Sequence, residues 1–211
     1  MKFIDKSLEN YCRDMSSKPP EYLMELDRET HLKVLSPNML SGYLQGRMLS
    51  MISKLVRPSK VVEIGTYTGY SALCFAEGLA DNGEVHTIEV NDELEPMIRK
   101  YFEKSPFANA IHLHIGDATK VISNLPAPFD LVFIDAGKKD YPLYFDLVID
   151  KLSKGGVILA DNVLWSGKVL QEERDDDTEA LVLFNEKVRK DPRVEVVMLP
   201  VRDGISVIRK K

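Results

Sequence analysis

The stretch Val61-Val62-Glu63-Ile64-Gly65-Thr66-Tyr67-Thr68-Gly69-Tyr70-Ser71 constrains this chain more than any other. Val61, Val62 and Ile64 suit a parallel strand covered on both faces. Gly65 and Gly69 follow, and residues without a Cβ let a backbone turn sharply and approach a ligand closely. A helix start comes next, and its first-turn amides, with the Ser71 hydroxyl, can donate to polar ligand atoms. The spacing is G-x-x-x-G. It is not the G-x-G-x-x-G dinucleotide fingerprint, and it lacks the Lys-Ser/Thr of a phosphate loop. Glu63, at the strand end, would repel a phosphate and attract a cation, such as a sulfonium bearing an α-amino group.

The rest of the chain alternates around this stretch. Strand candidates cover 60–65, 84–90, 111–115, 130–135 and 156–161, with helical segments at 69–80, 92–104, 117–124 and 141–152. Such alternation predicts an α/β fold with a parallel sheet and helices on both faces. A polar stretch, Gln171 to Thr178, reads as a solvated loop leading to a helix at about 178–190. Then 194–199 and 205–209 flank a short link ending in Asp203-Gly204, an antiparallel hairpin signal. Residues 1–57 read as helices broken at Pro19-Pro20 and Ser36-Pro37-Asn38. Their apolar faces are Phe3, Ile4, Leu8 and Tyr11, then Tyr22, Leu23 and Leu26, then Leu40, Leu44, Met48, Leu49 and Ile52. They are expected as a cap (1–57) on an α/β core (58–211) in a single domain, serving as a lid, a dimer surface or plain packing.

Composition narrows the function classes. With 211 residues, 44% hydrophobic and 29% charged, the chain suits a soluble globular domain. A net charge of −5 argues against nucleic acid or an anionic membrane as partner. Cys12 and Cys74 are its only cysteines, which suggests a reducing compartment and no thiolate metal site. The N-terminus does not read as a signal peptide, and no apolar run approaches the roughly 20 residues of a membrane span. The expected location is the cytoplasm.

Polar residues stand at the strand ends. Glu89 lies about 20 residues past the glycine turn, the usual place for an acid that accepts ribose hydroxyls. Asp117, after Gly116, suits either a helix cap or an adenine amine. Asp135 ends one apolar strand, and Asp161-Asn162 end another. In a parallel sheet these side chains emerge at one edge, where open α/β sheets bind ligands. Two carboxylates and an amide oxygen form a hard set suited to Mg²⁺, Mn²⁺ or Ca²⁺. Lys138 or Lys139, just beyond, would serve as general base, because a nearby divalent cation disfavours the ammonium form.

Together these segments resemble the cation-dependent O-methyltransferases of the caffeoyl-CoA and catechol type. The resemblance spans roughly residues 35–211 and rests on three segments: Val61 to Leu73, Ile134-Asp135-Ala136-Gly137-Lys138-Lys139-Asp140-Tyr141, and Ala160-Asp161-Asn162-Val163-Leu164-Trp165-Ser166-Gly167. It implies a Rossmann-like methyltransferase fold, with a mostly parallel seven-stranded sheet, a C-terminal antiparallel hairpin and N-terminal helices. It implies S-adenosylmethionine as methyl donor, lined by Glu63, Gly65, Thr66, Ser71, Glu89 and Ala118 and closed by Met39 or Ser41. By it, Asp135, Asp161 and Asn162 hold the metal and Lys138 is the base. Tyr144 lies near the donor, Trp165 flanks the acceptor ring, and the protein is a homodimer. Two positions depart from plant members: Gly137 replaces an acid that contacts the donor, and Ser166 replaces an Asn that meets the acceptor. The acidic loop after Gly167 is unlike a surface for coenzyme A phosphates, so caffeoyl-CoA itself is not implied.

The expected reaction places both hydroxyls of a vicinal diphenol on one cation and transfers the sulfonium methyl to one of them. The competing readings are a metal-independent methyltransferase of the same fold and a non-catalytic nucleotide-binding protein.

Overall fold

The computed structural model describes residues 5–211; Phe3 and Ile4, assigned above to a helix face, lie outside them. Helices α1 (Lys6–Asp14), α2 (Glu21–Lys33) and α3 (Gly42–Val56) precede β1 (Lys60–Ile64) and α4 (Tyr70–Ala76). Then come β2 (Glu84–Glu89), α5 (Glu95–Lys104), β3 (Ile111–Ile115), α6 (Ala118–Asn124) and β4 (Phe129–Ile134). The chain finishes with α7 (Tyr141–Ile149), β5 (Leu152–Asp161), α8 (Asp176–Lys190), β6 (Val194–Leu199) and β7 (Ile205–Lys210). Among the described residues no helix is long and apolar enough to cross a membrane.

The chain falls into two compact units, one running to Ala118 and the other from Thr119 to Lys211. In the first, β1 pairs parallel with β2, and β2 with β3. Val61, Val62, Ile64 and Val85 are fully buried, as two-sided cover of a parallel sheet requires. The N-terminal helices belong to this unit, with α2 against α4 and α5 and α3 along α4.

The buried face of α3 matches the expected one at Leu49 and differs elsewhere. Gln45, Gly46, Leu49, Ser50 and Ser53 are buried, whereas Leu44, Met48 and Ile52 are half-buried. Small residues let α3 approach α4 closely, and a polar network joins them. Arg47 donates to both carboxylate oxygens of Glu77, and Ser50 and Lys54 donate to the same carboxylate at 2.9 and 3.0 Å. Burial favours the neutral acid, but these donors hold the Glu77 carboxyl below its ordinary value.

In the second unit β4 pairs parallel with β5, β5 antiparallel with β7, and β7 antiparallel with β6, so the hairpin forms as expected. β5 begins at Leu152, four residues earlier than its apolar run suggests, and α7 ends at Ile149 rather than 152. Phe129 pairs with Leu152 and Leu131 with Val157, a bulge that absorbs Gly155-Gly156. The acidic stretch is not all loop. Asp175 caps α8, accepting from the Thr178 amide at 2.8 Å, and Asp176, Asp177 and Glu179 sit in the first turn, where carboxylates favour the helix dipole.

Three of the chain's four histidines stack on β2 and β3. The rings of His112 and His114 lie 5.0 and 5.2 Å from that of His86, and His86 Nε2 lies 3.1 Å from Glu84 Oε1. Burial depresses the titration of His86, opposed by Glu84 and reinforced by His112 and Lys60. Burial, then His86 and His112, depresses that of His114. A base depressed in the folded state makes the unfolded chain bind more protons, so its stability contribution is complete above the ordinary value of 6.5 and is lost below it. The unfolding free energy of the native protein relative to His86→Gln is therefore expected to fall between about pH 7.5 and about pH 5.5. Urea titrations at the two values check this, and a constant difference would refute it.

Candidate active site

Of the expected donor residues, all but Tyr144 lie in the first unit. Gly65 (φ 102°), Tyr67 (φ 52°) and Gly69 (φ 93°) give the turn after β1 its left-handed backbone. The Gly65 and Thr66 amides both donate to the Ile88 carbonyl, at 3.0 and 3.1 Å, which fixes the turn against β2. Glu63 is fully buried, and its carboxylate accepts from the Thr87 hydroxyl, which also meets that of Thr66. Ser71 is buried in α4.

Glu89, also buried, accepts from the Tyr67 amide at one carboxylate oxygen (2.7 Å) and the Asn91 amide at the other (2.9 Å). Each oxygen keeps acceptor capacity for a further donor, which suits a ribose diol. Gly116, after β3, has φ 143°, and a Cβ built there would meet nothing within 4 Å, so this edge is open. Asp117 beside it is exposed and Ala118 opens α6. Ser41 is buried and Met39 exposed; Tyr67 Oη donates to the Ser36 carbonyl at 2.9 Å, tying their segment to the β1 turn. These residues fit a nucleoside at the carboxyl ends of β1, β2 and β3.

The second unit holds the other set. Asp135 follows β4, and Asp161 ends β5. Asn162 leaves the strand with φ 59°, a backbone that Asn tolerates better than most residues. Lys138 lies in a short helical turn between β4 and α7 and is almost fully buried. Its ammonium donates to Asn162 Oδ1 at 2.8 Å, Tyr141 Oη at 2.7 Å and Asp135 Oδ1 at 3.3 Å. Lys139 instead pairs with Asp176 at 2.9 Å, in solvent. The spacing that left two lysines open is thus divided by which one the turn faces inward.

Burial, then the charge of Asp161, pushes the Asp135 carboxyl up to about 6, against the pull of Lys138. Two carboxylates that raise each other's cost of ionisation are short of positive charge. The Lys138 ammonium already stands in for a cation on two of the three expected ligands. Among the described residues no three His, Cys, Asp or Glu side chains group as a metal site. The set here is two carboxylates and an amide, hard oxygens that fit Mg²⁺, Mn²⁺ or Ca²⁺.

Tyr141 carries a role that the sequence reading missed. It is fully buried, accepts from Lys138 and donates to the Asp161 carbonyl at 2.8 Å. Its spacing of three from Lys138, in a helical turn, was the available signal. Tyr144 is buried one turn on. The Trp165 ring lies 5.8 Å from the Lys138 ammonium and 5.9 Å from that of Lys168. Gly137, where an acid is missing, is open, with nothing within 4 Å of an added Cβ.

A family model described as O-methyltransferase matches residues 13–211. Caffeoyl-CoA O-methyltransferase 1 of Arabidopsis thaliana is 34% identical over 96% of this chain and 84% of its own. Tricin synthase 2 of Oryza sativa subsp. japonica is 32% identical over 97% of this chain and 75% of its own. Among solved structures, the S-adenosylhomocysteine (SAH)-bound methyltransferase PaMTH1 of Podospora anserina superposes with a TM-score of 0.90 at 30% identity, covering 100% of this chain and 98% of that one. An O-methyltransferase of Bacillus cereus in complex with SAH gives 0.91 at 26% identity, over 97% of each chain. The fold is the expected Rossmann-like methyltransferase fold, and the chain belongs to the O-methyltransferase family.

Proposed function

We propose that this chain is an S-adenosylmethionine-dependent, divalent-cation-dependent O-methyltransferase that methylates one hydroxyl of a vicinal diphenol small molecule. The observation that carries the reading is one positive charge, the Lys138 ammonium, gathered by Asp135 and Asn162 with Asp161 beside them. S-adenosylmethionine would supply the electrophilic methyl. Mg²⁺, or Mn²⁺ or Ca²⁺, would supply the charge that eases ionisation of a phenol hydroxyl.

The chain's own residues do the rest. Asp135, Asp161 and Asn162 would hold the cation through three oxygens. A cation held beside Lys138 would disfavour its ammonium, and the neutral amine left after loss of one proton to solvent would take the hydroxyl proton at Nζ, with Tyr141 fixing that nitrogen from behind. Trp165 and Tyr144 would take the roles that the resemblance implies, the first flanking the acceptor ring and the second contacting the donor. Glu89 would accept the ribose hydroxyls, Glu63 would add negative charge for the sulfonium end, and the β1 turn with Ser71, Asp117 and Ala118 would line the pocket that Met39 or Ser41 closes. An oxyanion and a sulfonium become neutral products, so the main contribution of these residues is alignment, worth up to roughly 7–11 kcal/mol in well-oriented model systems. The homodimer expected of the family has apolar surface to draw on, including exposed Leu8, Tyr11 and Met15 near α1 and Met51 and Leu55 on α3.

Methyl transfer to a catechol panel, with and without EDTA, tests the reading. Activity that survives EDTA intact would favour the metal-independent alternative, and donor binding without transfer to any catechol would favour a non-catalytic protein. Asp161→Ala is expected to remove EDTA-sensitive turnover while donor binding, measured by calorimetry, stays within about threefold. Equal losses of both would refute the role given to Asp161. Lys138→Ala is expected to lower kcat by about 10²–10⁴, the usual worth of a general base, and Lys139→Ala by far less; the opposite ranking would move the base. Tyr141→Phe is expected to cost about 1–3 kcal/mol of stability and to lower kcat, because Lys138 and the Asp161 carbonyl lose a buried partner. Denaturant unfolding without loss of midpoint would contradict it.

A further inference from the structure

The loop leaving β5 carries three consecutive left-handed residues, Trp165 (φ 46°), Ser166 (φ 54°) and Gly167 (φ 82°), after a fourth at Asn162 (φ 59°). For a residue with a Cβ this backbone costs about 1–2 kcal/mol, and it persists only where neighbours over-determine it. Here the neighbours come from the turn between β6 and β7. Asp203 Oδ1 accepts from the Ser166 amide at 2.6 Å. The Asp203 carbonyl accepts from the Leu164 amide at 3.0 Å and the Gly204 carbonyl from the Val163 amide at 3.2 Å. Gly204 (φ 88°) sits so close to Leu164 that a Cβ on it would fall 2.5 Å from Leu164 Cγ. From α8, Asn185 Nδ2 donates to the Val163 carbonyl at 3.0 Å. Within the loop, the Trp165 amide donates to the Asn162 carbonyl at 3.1 Å, so the orientation of Asn162 and that of Trp165 are one setting.

We propose that Asp203 is a positioning residue of this enzyme. Its carboxylate and carbonyl brace the loop of residues 162–167, so that the Asn162 amide oxygen is presented to the cation and the Trp165 ring stands beside Lys138. The proposal rests on the cation-dependent reading given above. An ionised carboxylate suits the task, because its hydrogen bond to an amide is roughly twice as strong as a neutral one. Asp203 acts through Ser166 and Leu164. Residues that orient a ligand in this indirect way typically change metal affinity 10–100-fold when removed.

Trp165 is the only tryptophan in the chain, so its emission reports this loop alone. The test is a Mn²⁺ titration of the 211-residue protein by calorimetry, alongside the Trp165 emission spectrum and thermal unfolding. Asp203→Ala is expected to bind Mn²⁺ at least about tenfold more weakly and to shift the emission. Asp203→Asn, whose amide oxygen still accepts from Ser166, is expected to recover most of the affinity. Gly204→Ala reaches the same loop through Leu164 and is expected to weaken Mn²⁺ as well. A folded Asp203→Ala protein with native Mn²⁺ affinity and emission overturns the brace. If Asp203→Ala does not fold, native affinity in Gly204→Ala overturns it instead. A wild-type protein that binds no Mn²⁺ overturns the cation reading itself, which separates the two failures.

Discussion

One buried ammonium organises the second unit. Lys138 spends its three protons on Asp135, Tyr141 and Asn162, which come from the end of β4, the start of α7 and the end of β5. Tyr141 passes the connection on to the Asp161 carbonyl. Taking an ammonium and two carboxylates out of water costs several kcal/mol per ion, and their attraction repays this only when the remaining donors and acceptors are met. The strand tips are therefore set by polar satisfaction as much as by the apolar strands behind them, which are fully buried at Leu131, Val132, Phe133, Ile134, Ile158 and Leu159.

The first unit solves a similar problem with neutral groups. Glu63 sits in a strand without exposed surface, and its carboxylate meets the Thr87 hydroxyl, which continues to Thr66. Glu89 closes the turn by taking the Tyr67 amide. A carboxylate that accepts backbone amides is held in place before any ligand arrives, and preorganised acceptors need no rearrangement on binding. The glycine turn and the acid that follows it thus work as one piece, because Gly65 and Thr66 are anchored to the same strand that carries Glu89.

What could be read from the sequence follows from which signals are local. β1, β2, β3 and β4 were legible to within a residue because each is a short apolar or apolar-alternating run closed by a glycine or an acid. The first four residues of β5 were not: Leu152-Ser153-Lys154-Gly155 looks like a turn, and only pairing with β4, with a bulge to take up the glycines, makes it strand. The face of α3 was misread for a related reason. Apolar periodicity pointed to Leu44, Met48 and Ile52, but the helix buries Ser50 and Ser53 because Glu77, just after α4, and the Phe75 carbonyl meet their hydroxyls. The strand-tip positions of Asp135, Asp161 and Asn162 could be read from the sequence, while the bond from Tyr141 to the Asp161 carbonyl and that from the Ser166 amide to Asp203 could not, since they join segments remote in sequence.

Those two omissions share a cause that bears on how such a site is built. Apolar residues in place of Asp135, Lys138 and Asp161 would avoid the desolvation cost, and exchanges of that kind often leave a protein as stable or more so. Left-handed backbone at Trp165 and Ser166 is likewise a cost with no return in packing. Departures from local preference that are jointly maintained around one point mark the place where stability gives way to chemistry. Here the departures converge on the ends of β4 and β5, where Tyr141 from α7 and Asp203 from the last hairpin supply hydrogen-bond partners. On the cation-dependent reading proposed above, these supporting groups would be as much a part of the site as the oxygens beside them.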